Sequence, residues 1–517
     1  MTAALGRAAV TGTEPAWRLR VPPCARTARP EADTYIPRRR EESVLRRVVR
    51  DQLPRLRAEA EDVESGTSRL PKLVVDELEE YIACGDPARG FVRAFCESCH
   101  ESFLVGFTCR ASICASCSAR RMEDGARQIL EHVLPADAPI RQVVHSLPFA
   151  LRPMVGYDAE LFAALTRMFM SEVFRALRKK GRRVGVEHPL CAGIAVLQRA
   201  GNAIDLNPHI HAIAVDGVFR DRAPPGAAEP DLELVPVDPP EEGELRTISR
   251  RVCTRFLDLL RRRGLADADT LCPPETPPPM GLVVETAARV STRFAQVDEE
   301  GNVWAVEERI MAGGRFQAGA YRGFSTEAGV AATGDDQAKR ERIVRYVLEP
   351  PLAEAQVTKT RDGRIAIRLH RPRRSGATHV VMDEMGLLRK IAALVEPPGL
   401  HRVRYFGCLS SASKHRSFVV PPPRLEPGLS TGSAVVMPAA SLSPSLPTRR
   451  TPWLALLARV YGTDSTRCPA CKTGRLRVVG AIMDAEIIEK ILAHLEKRER
   501  ARAEAEAAKH DATLPGP

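Results

Sequence analysis

The segment Asn207-Pro208-His209-Ile210-His211-Ala212-Ile213-Ala214-Val215-Asp216-Gly217-Val218-Phe219 constrains this chain more than any other. It is an apolar run that reads as a buried strand, broken only by two histidines flanking one aliphatic residue. Successive strand side chains alternate faces, so His209 and His211 project from one side and Ile210 from the other. Two imidazoles so placed can hold one divalent cation and leave coordination positions open for a phosphate oxygen. A tyrosine elsewhere could then attack the activated phosphorus. A pair of satisfied core or edge histidines fits the same residues. The run at 192–199 is also strand-like, and Ala200-Gly201-Asn202 is a turn signal. A hairpin is therefore expected, with Gln198 beside the histidines as a candidate third ligand.

At 517 residues the chain is too long for one ordinary core and suggests two to four domains. Lys and Arg exceed Asp and Glu to leave a net charge of +11. That surplus suits a polyanion such as nucleic acid, although ordinary solvated surfaces also carry it. No apolar run is long enough to span a membrane, and the N-terminus has no apolar signal region, so a cytoplasmic protein is expected. The thirteen cysteines cluster as Cys-x-x-Cys, which reads as metal ligation in a reducing compartment rather than disulfides.

Composition shifts divide the chain. Residues 1–36 lack periodicity and read as a disordered tail. Residues 37–125 combine helical stretches at 40–61 and 71–83 with a cysteine-dense segment from Cys84 to Cys117. Residues 138–416 alternate strand and helix patterns: a strand at 141–148, a helix at 158–180 with Leu161, Leu165, Phe169 and Phe174 on one face, and helices at 246–264 and 335–348. Acidic or proline-rich insertions interrupt this part at 221–243 and 266–280. Residues 417–452 are a Pro/Ser-rich linker. Residues 453–517 hold Trp453, Tyr461, Cys468-x-x-Cys471 and a charged helix at 484–508.

Cys96-x-x-Cys99 and Cys114-x-x-Cys117 are two knuckles that would complete a tetrahedral shell of four thiolates. Four thiolates close the shell, so a zinc ion there is structural, folding a module with little core of its own. Cys84, Cys109 and His100 lie near enough to be alternative ligands or a second partial site. Cys468 and Cys471 stand alone, and half a zinc site, a redox pair and chance all fit them.

Among the seven tyrosines, Tyr346 lies in a short basic helix with Arg342 and Arg345 about a turn away. Guanidinium groups there could bind phosphate and favour the phenolate. An amphipathic core tyrosine at a helix end fits the same segment.

In their order along the chain these pieces resemble the HUH-type rolling-circle transposases of bacterial insertion sequences, the IS91 type. The resemblance is carried by the knuckle region through Arg120-Arg121, Ser146-Leu147-Pro148, Gln198-Arg199, the histidine run through Asp216-Gly217, Arg345-Tyr346 with Pro350-Pro351, Arg404-Tyr405-Phe406-Gly407, and Trp453 with the last Cys-x-x-Cys. It implies an α+β fold, with a small zinc-binding domain before an HUH nuclease domain whose central antiparallel sheet carries the two histidines. It implies Tyr346 at the catalytic tyrosine position and Mg²⁺ or Mn²⁺ at His209, His211 and Gln198. Arg342 and Arg345 would contact DNA, and the partner would be single-stranded insertion-sequence ends in a bacterial, nucleoid-associated setting. The reaction implied is nicking and rejoining through a 5′-phosphotyrosine. Part of the family has a second tyrosine four residues earlier; here that position is Arg342, making this a single-tyrosine version. Two other readings stand beside it: a catalytically inactive zinc-containing DNA-binding protein derived from a transposase, which only activity separates, and a metalloenzyme acting on a small molecule, against which the ordered match argues.

Overall fold

Alternation along the histidine strand decides how the centre of the molecule is layered. The computed structural model describes residues 43–61, 70–265, 280–305, 319–370, 372–373, 375–420 and 467–511. The expected tail at 1–36, the proline cluster at 266–279, nearly all of the 417–452 linker, and Trp453 and Tyr461 lie outside the described residues. Strand β5 (Leu206–Val215) runs between β3 (Ile140–Ser146) and β4 (Ala192–Ala200). Outside these lie β10 (Ser325–Ala332), next to β3, and β14 (Val403–Gly407), next to β4. Every pairing in this sheet is antiparallel.

Ile210, Ala212 and Ala214 pack into a core with Leu165 and Phe169 of helix α5 (Ala159–Arg183) and Val252 and Phe256 of α6 (Glu242–Arg262). Ile213 and Val215 enter the opposite core, with Ile129 of α3 (Ala115–His132) and Val344 and Val347 of α8 (Gln337–Leu348). Helices therefore cover both faces of β5, which explains why its sequence reads as a nearly unbroken apolar run. Each fully buried Leu, Ile or Phe contributes about 1.5–3 kcal/mol. Parity places His209 and His211 on the α8 side.

Local chemistry sets the helix ends. Asp158 accepts from the N–H groups of Glu160 and Leu161 at 2.9 and 2.8 Å, capping α5, and Lys180, Arg182 and Arg183 in its last turn suit the helix dipole. All four apolar residues expected on its face are buried. Asp336 caps α8 by accepting from the Lys339 N–H at 2.9 Å.

The run expected as one strand to Phe219 is two. Asp216 is gripped by Arg141, whose Nε and Nη2 donate to its carboxylate at 2.9 and 2.6 Å. Beyond it β6 (Gly217–Asp221) leaves the sheet and pairs with β7 (Leu232–Pro236), so part of the acidic insertion is a strand.

A second sheet takes the order β11 (Val357–Lys359), β12 (Ile365–Arg368), β13 (His379–Met382), β8 (Arg293–Val297), β9 (Val303–Ala305). Its residues share a core with α1 (Val44–Ala60), α2 (Lys72–Ile82), α7 (Gly281–Ala288) and α9 (Glu384–Leu394). The buried Arg199 ties this layer to β4: its guanidinium donates to the Leu394 and Val395 carbonyls at 2.8 Å each and to Gly156 at 2.9 Å. Those are orphan carbonyls at the end of α9 and of the short α4 (Arg152–Tyr157), so the charge is satisfied without a carboxylate. The short α10 (Arg416–Val419) follows β14.

A third, three-stranded sheet joins distant parts of the chain. Its order is β15 (Leu476–Ile482), β1 (Phe91–Cys96), β2 (Ser102–Gly106), and a C-terminal helix, Ala485–Asp511, follows β15. The architecture is thus α+β with antiparallel sheets. Among the described residues no helix is long and apolar enough to cross a membrane.

Candidate active site and cysteine clusters

The strand, the hairpin and the basic helix bring their singled-out residues to one place. The His209 and His211 rings lie 4.8 Å apart, and the Tyr346 ring stands edge-on to His211 at 5.6 Å. Ile343, Val344 and Val347 seat α8 against the sheet, leaving Arg342 and Tyr346, four residues apart, on its exposed side. Among the described tyrosines only Tyr346 is exposed, at 49 %. Burial pushes the Tyr157 phenol up to about 12 and raises that of Tyr405.

Hydrogen bonds define what each imidazole offers. Nδ1 of His209 lies 2.6 Å from the Asn207 carbonyl, which can only accept, so Nδ1 carries the proton and Nε2 keeps its lone pair. Nδ1 of His211 lies 2.7 Å from the buried Gln142 amide. The amide nitrogen of Gln142 stands nearest, so Nδ1 accepts; ligation through His211 Nε2 requires the amide reversed, with Oε1 accepting from Nδ1–H. Burial holds His209 below the ordinary imidazole range, and burial with the neighbouring His209 brings His211 down to about 3. Two adjacent imidazoles kept neutral suit a divalent cation.

Gln198 stands opposite His209 in the β4–β5 register, beside the histidines as expected. Its amide has a further task. Nε2 donates to the Val347 carbonyl at 2.7 Å and, at 3.4 Å, to that of Tyr346, holding the last turn of α8 onto β4. Arg345 also differs from the sequence reading as a phosphate contact. Its Nη2 donates to the buried carboxylate of Glu123 on α3 at 2.7 Å, and its Nε pairs with Glu341 at 2.9 Å. The physical reason is position: α3 packs alongside α8, and a buried carboxylate there draws the nearest guanidinium. Arg342 remains exposed beside Tyr346.

The four cysteines expected in one shell are divided between two. Cys84 follows α2, Cys109 follows β2, and Cys114 and Cys117 sit at the N-cap and first turn of α3. Their sulfurs gather with separations of 3.6 Å for Cys84–Cys117, 3.7 Å for Cys109–Cys117 and 3.7 Å for Cys84–Cys114. Cys96 and Cys99 instead meet Cys471 and Cys468, at 3.8 and 3.6 Å. A tetrahedron with arms of about 2.3 Å has edges of about 3.8 Å, whereas a disulfide needs about 2.05 Å. Both groups therefore suit a closed thiolate shell. The two knuckles do not share one because β1 and β2 form a hairpin with the Cys96–Cys99 turn at its tip. Cys84 and Cys109 lie at its open end, where Gly85 N–H donates to Phe107. The five residues of β2 put about 17 Å between them. His100 is in neither cluster.

A family described as "Transposase zinc-binding domain" matches residues 55–147, and one described as "Putative transposase" matches residues 193–417. Together these take in more than half of the chain. It belongs to the IS91-type transposase family. A transposase for insertion sequence element IS801 from Pseudomonas savastanoi pv. phaseolicola is 28 % identical over 151 residues, 29 % of this chain and 34 % of that protein. The match thus spans about a third of the relative's length. No solved structure matches the chain.

In this IS91-type chain the zinc-binding match contains all of Cys84, Cys109, Cys114 and Cys117, and the other match contains Gln198, both histidines and Tyr346. Cys468 and Cys471 fall outside both. Sequence reasoning passed over Gln142 and Glu123. Gln142 carried a signal, being a polar residue inside an apolar strand segment; Glu123, in a charged helix, carried none.

Proposed function

We propose that this chain nicks and rejoins single-stranded DNA at insertion-sequence ends as an HUH nuclease, with Tyr346 as its nucleophile. The observation that carries the reading is the convergence of His209, His211 and the exposed Tyr346 from separate elements onto one sheet face. Bound by His209 and His211, with Gln198 Oε1 as a candidate third ligand, Mg²⁺ or Mn²⁺ would supply Lewis-acid polarisation of the scissile phosphate. The chain's own residues do the rest. Asn207 and Gln142 fix the ring orientations, and burial keeps both rings unprotonated. Gln198 holds the end of α8 so that Tyr346 faces the histidines. Arg342 is placed to contact a neighbouring phosphate.

In the step itself the Tyr346 Oη–P bond forms and the P–O3′ bond breaks. The phenol gives up its proton and the departing 3′-oxygen takes one, leaving a 5′-phosphotyrosyl link and a free 3′-OH. Attack by a 3′-OH reverses the step, so rejoining requires no ATP. The test is incubation with single-stranded oligonucleotides tiled across the DNA flanking the gene, in Mn²⁺, followed by denaturing electrophoresis and peptide mapping. A covalent adduct on Tyr346 is expected. An adduct on Tyr321 or Tyr405, or none with any oligonucleotide, would overturn the assignment.

A further inference from the structure

We propose that Cys96, Cys99, Cys468 and Cys471 bind one zinc ion, and that this ion holds the C-terminal strand and helix onto the N-terminal domain. The site is independent of the DNA chemistry above. Its halves are 369 and 375 residues apart in sequence, yet all four sulfurs lie within 4.8 Å of one another.

The two halves are built alike. After each Cys-x-x-Cys the next residue takes a left-handed conformation, His100 at φ 59° and Lys472 at φ 58°, and neither is glycine. Each of these residues donates its N–H to the carbonyl of the knuckle's first cysteine, His100 to Cys96 and Lys472 to Cys468, both at 2.9 Å. A strained turn repeated at both ends of the chain brings paired thiolates to a single point. The fit is close. A Cβ on Gly474 would come within 2.5 Å of Cys96 Sγ and 2.7 Å of Ser98 Oγ, so only glycine lets the second loop approach. The Gly474 N–H donates to Cys471 Sγ at 3.2 Å.

From the knuckles the chain runs into a sheet. β15 pairs antiparallel with β1 from Cys96↔Leu476 to Phe91↔Ile482, making a ribbon from opposite ends of the molecule. Apolar burial cannot account for its attachment. Within β15 no residue is buried, and Val478 and Val479 are 50 % and 55 % exposed. Among the described residues after 466, only Cys468, Gly474 and Ile488 are buried. The ion pairs that cross the seam, Arg477–Glu97 and Arg498–Glu101, are solvent-exposed and weak. A segment with so little core needs another source of free energy, and four thiolates in a tetrahedron select zinc.

The experiment uses the full chain purified under reducing conditions. Metal analysis should find two zinc ions per chain, falling to one in Cys468→Ser/Cys471→Ser, while Cys468→His, which still offers a ligand, keeps two. Hydrogen exchange in the double variant should lose protection at 476–482, with the central sheet unchanged. One zinc in the parent, iron in place of zinc, two zinc ions in the double variant, a Cys96–Cys471 disulfide by mass spectrometry, or unaltered protection at 476–482 after loss of the ion would each overturn the proposal.

Discussion

His209 and His211 share a strand, so the alternation of β-structure alone puts them side by side. Cys96 and Cys114 open two Cys-x-x-Cys turns, and nothing local says which turns will share an ion. Each turn makes its own pair of sulfurs adjacent, as the strand does its imidazoles. The choice of the second pair belongs to the path of the chain between them. The two histidine rings therefore lie side by side as their spacing suggested, whereas the cysteines regrouped: one cluster within 33 residues and the other across the molecule.

The sharpest way to break this contrast is to remove one shell at a time. Cys114→Ser/Cys117→Ser should release zinc and unfold the helices around residues 72–132, since structural zinc of this kind carries about 10–16 kcal/mol of apparent binding free energy. Circular dichroism and metal content would check it. Retained helix content without zinc would mean that the local core, not the ion, holds this module. Chelation should also give two separable losses, one restored by Mn²⁺ or Mg²⁺ and the other only by Zn²⁺.

Next in size come the histidine-site variants. On the proposed mechanism, Tyr346→Phe should lower adduct formation by about three orders of magnitude or more with DNA binding retained, because it removes only the proposed nucleophilic oxygen. His209→Ala and His211→Ala should each cost cleavage about 100-fold or more in Mn²⁺. Ile210→Val, whose side chain lies in the opposite core, should leave cleavage unchanged and cost about 0.5–1.5 kcal/mol of stability. Cleavage that survives both histidine changes would put the metal elsewhere.

A subtler distinction separates the two arginines. Arg345→Ala deprives the buried Glu123 carboxylate of this guanidinium and should destabilise the α3–α8 seam by about 1–3 kcal/mol, with a smaller change in the salt dependence of DNA binding. Arg342→Ala should do the reverse, leaving stability nearly constant and lowering the salt slope by about 1. Thermal melts and binding at several salt concentrations would tell; exchanged phenotypes would reverse the assignment.

The central sheet should also show a pH dependence. His145 is stacked between Phe169 and Phe324, and burial brings it down to about 3 from an ordinary value near 6.5. The unfolded chain takes up this proton near pH 6.5 and the folded chain does not until about 3. Stability is thus fully present above 6.5 and lost as the pH falls, by at most about 1.4 kcal/mol per pH unit for the group. Denaturant unfolding between pH 7 and 4 measures it, and His145→Leu should flatten the slope. An unchanged slope would assign the dependence to other groups, His211 among them.

Much of the fold was legible because its rules are local. The expected helix at 71–83 is Lys72–Ile82, the strand at 141–148 is Ile140–Ser146, and the Gln198–His209 neighbourhood follows from hairpin pairing. Less visible were the features set by packing between layers. Asp216 turns the histidine run out of the sheet because Arg141 holds it, and Gln198 uses its amide to anchor a helix contributed from 148 residues away. The strand at 476–482 carried no usable signal, since it is exposed along most of its length and gains its place from β1 alone.

By itself, then, the sequence determined which side chains could act as pairs: periodicity of two for His209 and His211, the tight turn for each Cys-x-x-Cys, and a spacing of four for Arg342 and Tyr346. Those relations are fixed by backbone geometry over a few residues. The tertiary structure decided what each pair would face. A hairpin about 17 Å long separated two knuckles, a distant glycine let a third one close on the first, and a buried glutamate turned Arg345 away from solvent. Partner choice across layers depends on chain path and desolvation, and neither is written in local spacing.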